Sequence, residues 1–252
     1  IKFTDKHSAE KALYTNQIRP YYRAPYLFLG FPTQYVDRKF SKAAMQSLPD
    51  PVHRERRMKF SPRYGTTVTN GLFMSSRDGL TFKLWNEPFI PIGPERNNNW
   101  VYGDGYQSMG LIETPADDST ASPVLSFYAG EGHWKDSPIL RRYTIRIDGF
   151  VSLHGRQSTG EFVTKPLIFS GKSLSLNFST SAAGSILVEL EDINGNPFPG
   201  FSFSDCDELF GDTIDRTVTW RDNSSVSSLE GKQILVRIRL SEADLFSLKF
   251  KE

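Results

Sequence analysis

The sequence predicts an all-β chain in two parts, a first part over residues 1–147 and a second over 148–252, and three observations predict it. The first part consists of strand-length runs of aromatic and β-branched residues, punctuated by Pro and Gly and too interrupted for long helices. Two of these runs flank a Ser-Arg-Asp-Gly turn at 76–79, the chemistry of a tight hairpin. From about Asp148 onward apolar residues recur at every second position, which puts one face of a strand in a core and the other toward water. Several short antiparallel strands of this kind, with no convincing helix to cover them, close most naturally as an antiparallel β-sandwich.

Taken in chain order, YYRAPYLFLGFPTQYV (21–36) suits a short strand pair, and Pro20, Pro25 and Pro32 forbid a long helix. Residues 37–65 break that pattern: SKAAMQSL reads as a helical turn, and the remainder as a long loop. Between Arg38 and Arg63 lie eight basic residues (Arg38, Lys39, Lys42, Arg54, Arg56, Arg57, Lys59, Arg63) against Asp50 and Glu55 alone. Such an excess marks a solvated insertion or, alternatively, a rim that receives an anionic glycan or an acidic partner. LFMSS and TFKLW then flank the turn centred on Arg77, Asp78 and Gly79, and GLIETP (110–115) and PVLSFYAG (123–130) form a further strand pair. In the second part the alternating positions are Leu174, Leu176 and Phe178, then Ile186, Val188 and Leu190. They continue as Ile234, Val236, Ile238 and Leu240, and as Phe246, Leu248 and Phe250. NGNP (194–197) and Gly231 supply turns between them.

Composition narrows the function. A chain of 252 residues with 38% hydrophobic content can build one large or two ordinary cores, which excludes a disordered or fibrous protein. Thirty Lys and Arg against 29 Asp and Glu leave a charge of +1, without the basic field that neutralises phosphates, so nucleic acid is not an expected partner. Cys206 is the single cysteine, so there is no intrachain disulfide and no Cys-rich zinc motif, and its two flanking aspartates disfavour a thiolate nucleophile. No apolar run reaches the roughly 18 residues of a membrane span, and no signal peptide is legible. The chain opens on Ile1 and enters directly into a sequence that reads as the middle of a protein, so a longer parent is expected. Nucleophile-elbow, phosphate-loop and dinucleotide motifs are absent.

SSRDGLTF (75–82) resembles the hairpin turn repeated once per blade in carbohydrate-active β-propellers, with the spacing of the five-bladed enzymes similar to glycoside hydrolase families 32 and 43 more than that of sialidases. RIDGFVSL (146–153), TKPLIFSGKSLSLNFSTSAAGSILVEL, GNPFPGFSFSDCDELFGD and GKQILVRIRLSEADLFSLKF together resemble the C-terminal half of glycosidase-like bacterial proteins, in which such a propeller precedes a sandwich. The resemblance implies that residues 1–147 are closing blades of a five-bladed-type propeller whose other blades lie elsewhere. It further implies a carbohydrate ligand, a periplasmic or secreted setting, and association with the missing half or with a second copy through unpaired strand edges. The activity it implies is glycoside hydrolysis by paired carboxyl groups about 5–9.5 Å apart, only part of which this chain would supply.

Within that frame Glu113, beside an apolar strand run, is the first candidate for a catalytic acid, since partial desolvation there would raise its pKa. The plain alternative is a surface or ion-paired glutamate. Arg19, Tyr22 and Arg23, with Tyr21 beside them, combine aromatic faces for sugar rings with forked donors for hydroxyls or carboxylates, or else serve packing and structural ion pairs. Glu131, His133 and Trp134 form a loop of the kind that lines a pocket, but one His beside one Glu falls short of a metal site. Asp104 could accept sugar hydroxyls or simply hold an Asp-Gly turn, and Asp78 is structural. Asp117 and Asp118, like Asp205 and Asp207, offer oxygen ligands for calcium, the one cofactor to consider. A non-catalytic glycan-binding or bracing module is the competing reading, favoured by the missing acids and by a second part whose Trp220 is expected in the core.

Overall fold

Strands dominate the computed structural model, which describes residues 1–97, 99–133 and 138–252. The chain is predominantly β, as the sequence predicts, and the strands among the described residues lie in three sheets. It divides into two compact units, one of Ile1–Ile112 with Leu125–Thr144 and one of Glu113–Val124 with Ile145–Glu252.

The first unit begins with β1 (Lys2–Phe3), β2 (Ala12–Tyr14), β3 (Arg19–Tyr21), β4 (Ala24–Gly30) and β5 (Thr33–Val36). The helices α1 (Lys42–Ser47) and α2 (Pro51–Met58) follow, then β6 (Val68–Ser76) and β7 (Thr81–Ile90). The sheet runs β1-β7-β6-β4-β3, with β5 also on β6 and β2 on β5; only the β1–β7 pair is parallel. The β6–β7 hairpin forms where the Ser-Arg-Asp-Gly turn predicts it. Asp78 Oδ1 accepts the backbone N–H of Leu80 (2.8 Å) and Thr81 (2.7 Å) and the Ser76 hydroxyl, while Gly79 takes the positive φ of +70° that the reversal needs. These bonds, that of Thr81 foremost, hold the Asp78 carboxyl below the usual carboxylate range. Leu72, Met74, Phe82 and Leu84 form the core beneath this hairpin. A separate three-stranded sheet is built from β8 (Ile112–Thr114), β9 (Val124–Glu131) and β10 (Ile139–Arg146), in the order β10-β9-β8.

Residues 37–65 differ from the expected solvated loop. They form α1, α2 and a 3-10 turn at Pro62–Gly65, and two of the basic residues are buried, Arg54 at 0% and Arg57 at 2% exposure. The reason is local: Pro51 stands in the first turn of α2, where its fixed φ and missing N–H cost nothing. One turn on, the Arg54 guanidinium donates to the carbonyls of Pro49 (2.7 Å), Gly65 (3.2 Å) and Asn99 (3.3 Å).

The second unit holds β11 (Leu153–Gly155), β12 (Gly160–Val163), β13 (Leu167–Ile168), β14 (Ser173–Glu191), β15 (Asp212–Thr217) and β16 (Gln233–Lys251). The order is β11-β16-β14-β15, with β12 and β13 also on β16. In place of the short strands expected, β14 and β16 are 19 residues each and pair along their lengths, with register shifts at Asn177/Phe178 and Thr180/Ser185. Leu174, Leu176, Phe178, Ile186, Val188 and Leu190 all enter the core, as do Ile234, Val236, Ile238 and Leu240. The last alternation departs from expectation. Because the bulge skips Phe246, Ala243 and Leu245 face inward before it and Leu248 and Phe250 after it, and Phe246 lies under the Arg146 guanidinium instead. Trp220 is buried and donates to the Val188 carbonyl at 2.9 Å. Among the described residues no helix is long and apolar enough to cross a membrane.

Candidate functional site

Strand pairing in the first unit sets a row of side chains on one face. Tyr14 opposes Thr33, and Tyr35 opposes Thr69; directly opposed residues share a face, as do Thr33 and Tyr35 two apart. Thr69 anchors the segment 102–106 there: its hydroxyl donates to the Asp104 carbonyl (2.7 Å) and receives the Gly103 N–H (3.0 Å). Gly103 has φ +100°, and a Cβ on it would lie 2.2 Å from the His133 ring, so only glycine permits this approach.

Asp104 is 7% exposed, and its Oδ1 accepts the His133 backbone N–H at 2.9 Å. Burial pushes its carboxyl up to about 6; the bond from His133 opposes this, the nearby Glu131 charge adds to it, and Arg57 opposes it in turn. Burial and the charge of Arg54 lower the Arg57 guanidinium to about 10, so it stays a cation at neutral pH, donating to the Tyr102 carbonyl at 3.2 Å. Glu131 behaves oppositely to Asp104. Burial raises it, but bonds from Arg141 (2.6 Å) and Tyr143 (2.7 Å), with the Arg96 charge at 3.1 Å, outweigh burial and hold it low. Two carboxyl groups in one locality are thus driven apart, one protonatable near neutrality and one fixed as an anion. The His133 imidazole is lowered by burial and by the charge of Arg57.

Aromatic rings continue from this pair. His133 meets Tyr102 edge-on at 6.2 Å; Tyr102 stacks on Tyr64 at 5.4 Å and meets Tyr35 at 5.9 Å; Tyr35 meets Tyr14 at 5.8 Å. The Arg63 guanidinium lies over both the Tyr35 ring (5.4 Å) and the Tyr64 ring (5.3 Å). Burial and the Tyr102 phenol beside it push Tyr106 above its ordinary range. A carboxyl raised toward neutrality can exchange a proton, and half-buried tyrosine rings offer flat faces for stacking.

Of the residues proposed from sequence, the fold brings Asp104, Glu131 and His133 together. Glu113 is exposed on β8, without the desolvation expected of it, beside a recess of about 350 Å³ shared with Thr114, Asp118 and Ser119. Arg19, Tyr22 and Arg23 are exposed on β3 and the turn after it, with the Tyr22 ring edge-on to Tyr21 at 5.2 Å. Trp134 lies outside the described residues. Asp118 holds its own turn through Thr120, Asp205 pairs with Arg221 and Ser202, and Asp207 accepts the Asp222 N–H. Among the described residues no group of three or more His, Cys, Asp or Glu is placed to hold a metal ion. In the second unit a recess of about 440 Å³ carries Asp244, which accepts from Ser152 (2.7 Å) and pairs with His154 (3.1 Å).

Sequence reasoning missed Tyr35, Arg57, Arg63, Tyr64 and Tyr102. A signal was present in the run Tyr-Gly-Asp-Gly-Tyr at 102–106, whose two glycines flank the acid and let backbone approach on either side of it. Comparison with family models, with curated proteins and with solved structures finds no match to the chain.

Proposed function

We propose that the chain is part of a carbohydrate-active protein that cleaves a poly- or oligosaccharide, with Asp104 as the general acid that protonates the leaving glycosidic oxygen. One observation carries the reading: Asp104, raised to about 6, stands near Glu131, held low, beside a row of tyrosine faces. On this reading burial raises the Asp104 carboxyl and the nearby Glu131 charge adds to it, while Glu131, locked by Arg96, Arg141 and Tyr143, does not attack. The carboxylate that attacks the sugar or activates water is supplied from outside residues 1–252. In the same reading residues 1–147 are closing propeller blades and 148–252 a β-sandwich, supported by the turn at 76–79 and by the paired long strands of the second unit. The burial a raised acid requires favours Asp104 over Glu113 for the proton donor.

The test is hydrolysis of a panel of polysaccharides and aryl glycosides by the full parent protein. Asp104→Asn is expected to lower kcat by about 10²–10⁴-fold on glycosides with poor leaving groups, and Glu113→Gln to leave it unchanged. Since Asp104 acts in its protonated form, activity should be present below its pKa of about 6 and fall as pH rises through it. Unchanged turnover in Asp104→Asn would remove the residue from the mechanism. A second reading, glycan binding without cleavage, is favoured by the complete engagement of Glu131 in ion pairs. It predicts binding by the wild type with no reducing ends released.

A further inference from the structure

Several arginines of the two units are held in ion pairs, and Arg77 lies over the single ring of Tyr26. Arg96, Arg141, Arg146, Arg221, Arg237 and Arg239 each meet a carboxylate. Arg63 is exposed, lies over two tyrosine rings, shares a hydrogen bond with Tyr64, and has no acidic partner among the described residues. Ring faces hold the plane of a guanidinium and leave its N–H edge for another group.

The charge around it points the same way. Glu131 is neutralised by Arg96 and Arg141, and the Asp104 carboxyl is buried with the Arg57 cation near it. The excess of basic residues between Arg38 and Arg63 would draw a polyanion toward the same segment.

We infer that Arg63, fixed over Tyr35 and Tyr64, is the recognition group for a carboxylated sugar, whose planar acid group meets the guanidinium edge while its ring lies against the tyrosines. A uronate-type unit fits because guanidinium and carboxylate form two parallel hydrogen bonds, whereas a neutral sugar offers the cation only hydroxyls. The inference rests on the proposed glycan site and names its ligand class, but it concerns binding alone.

The experiment is affinity electrophoresis of the full chain through gels containing polygalacturonate, the same polymer with its carboxyl groups reduced, or dextran sulfate, at about 150 mM NaCl to screen diffuse attraction. The wild type should be retarded by polygalacturonate, and at least about tenfold more weakly by dextran sulfate and by the reduced polymer. Arg63→Gln and Arg63→Lys should both lose about tenfold or more, because lysine keeps the charge without the fork. Lys6→Gln, which removes the same charge from an exposed position of the first unit outside the basic run, should bind as the wild type does. No retardation by polygalacturonate, equal binding of the reduced polymer, or unchanged binding in Arg63→Gln would overturn the assignment. Equal binding of dextran sulfate, or equal losses in Lys6→Gln and Arg63→Gln, would reduce it to bulk charge attraction and overturn it as well. The readout needs no hydrolysis, so failure of Asp104 as an acid leaves it standing, and loss of carboxylate binding leaves the acid untouched.

Discussion

At pH 7 the Asp104 carboxyl is ionised in surroundings that disfavour its charge, and this ties stability to pH at a single residue. Its folded-state pKa is raised to about 6 from 3.8, so the stability it contributes is fully present below about pH 4 and is lost as pH rises through 6. Asp104→Asn cannot ionise. It is therefore expected to be more stable than the wild type at pH 7.5, by roughly 2–3 kcal/mol at 1.36 kcal/mol per pKa unit, and little changed at about pH 3.5. Urea unfolding at the two pH values checks this; a variant destabilised at both would show that the carboxylate is structural. A stability gain alongside lost turnover would separate damage to chemistry from damage to folding. Asp104 was legible in the sequence as an acceptor in an Asp-Gly turn. Its burial was not, because that depends on Thr69 and His133, 35 and 29 residues away. Arg57 and Arg63 were likewise counted only as charges in a basic run, since nothing local says which of eight cations turns inward.

Among the elements, α2 shows how a polar segment acquires an inside. Arg54 joins the α1–α2 connection, the 3-10 turn and the loop at Asn99 through three carbonyls, and it is fully buried. Replacing it with alanine would leave three acceptors short of a donor and open a void. Arg54→Ala should therefore cost about 3 kcal/mol or more, measured by denaturant unfolding. Arg54→Lys should recover little, because one ammonium cannot reach three divergent carbonyls as a planar fork does. A loss below about 1 kcal/mol in the alanine variant would mean that the contacts are solvent-like. Pro51 and the three-residue spacing of Arg54 and Arg57 were available as signs of a helix with one buried face, but the density of charge masks a face that is guanidinium and not hydrocarbon. β14 carries the converse lesson. Its alternation correctly places Val188 and Leu190 in the core, yet Glu189 and Glu191 on the opposite face are buried as well. The Phe203 N–H donates to Glu189 and Arg237 from β16 pairs with Glu191, so period two identifies a second face without saying whether it meets water.

On the scale of the molecule, the second unit draws its core from residues distributed along almost its entire length. Nineteen buried residues from Phe169 to Leu245 form one cluster, held by the pairing of β14 with β16. The run Ser-Ala-Ala-Gly at 181–184 looks in sequence like a break between two short strands. In the fold it lies at the register shift of a continuous strand, and small side chains there let β16 come close. A Cβ on Gly184 would lie 2.3 Å from the Glu242 carbonyl oxygen, a backbone atom that cannot rotate away. Two consequences follow for residues 145–252 expressed alone, which contain every member of this cluster. The fragment should fold with a single cooperative thermal transition and dispersed amide resonances, since every member of the core cluster lies within it. Gly184→Val in the same fragment should abolish or sharply lower that transition, because the clash falls where both long strands change register. A wild-type fragment lacking cooperativity would place part of its stability outside residues 145–252. A Gly184→Val fragment melting like the wild type would mean that the strands separate at the bulge at little cost, and that each half of β14 pairs with β16 on its own.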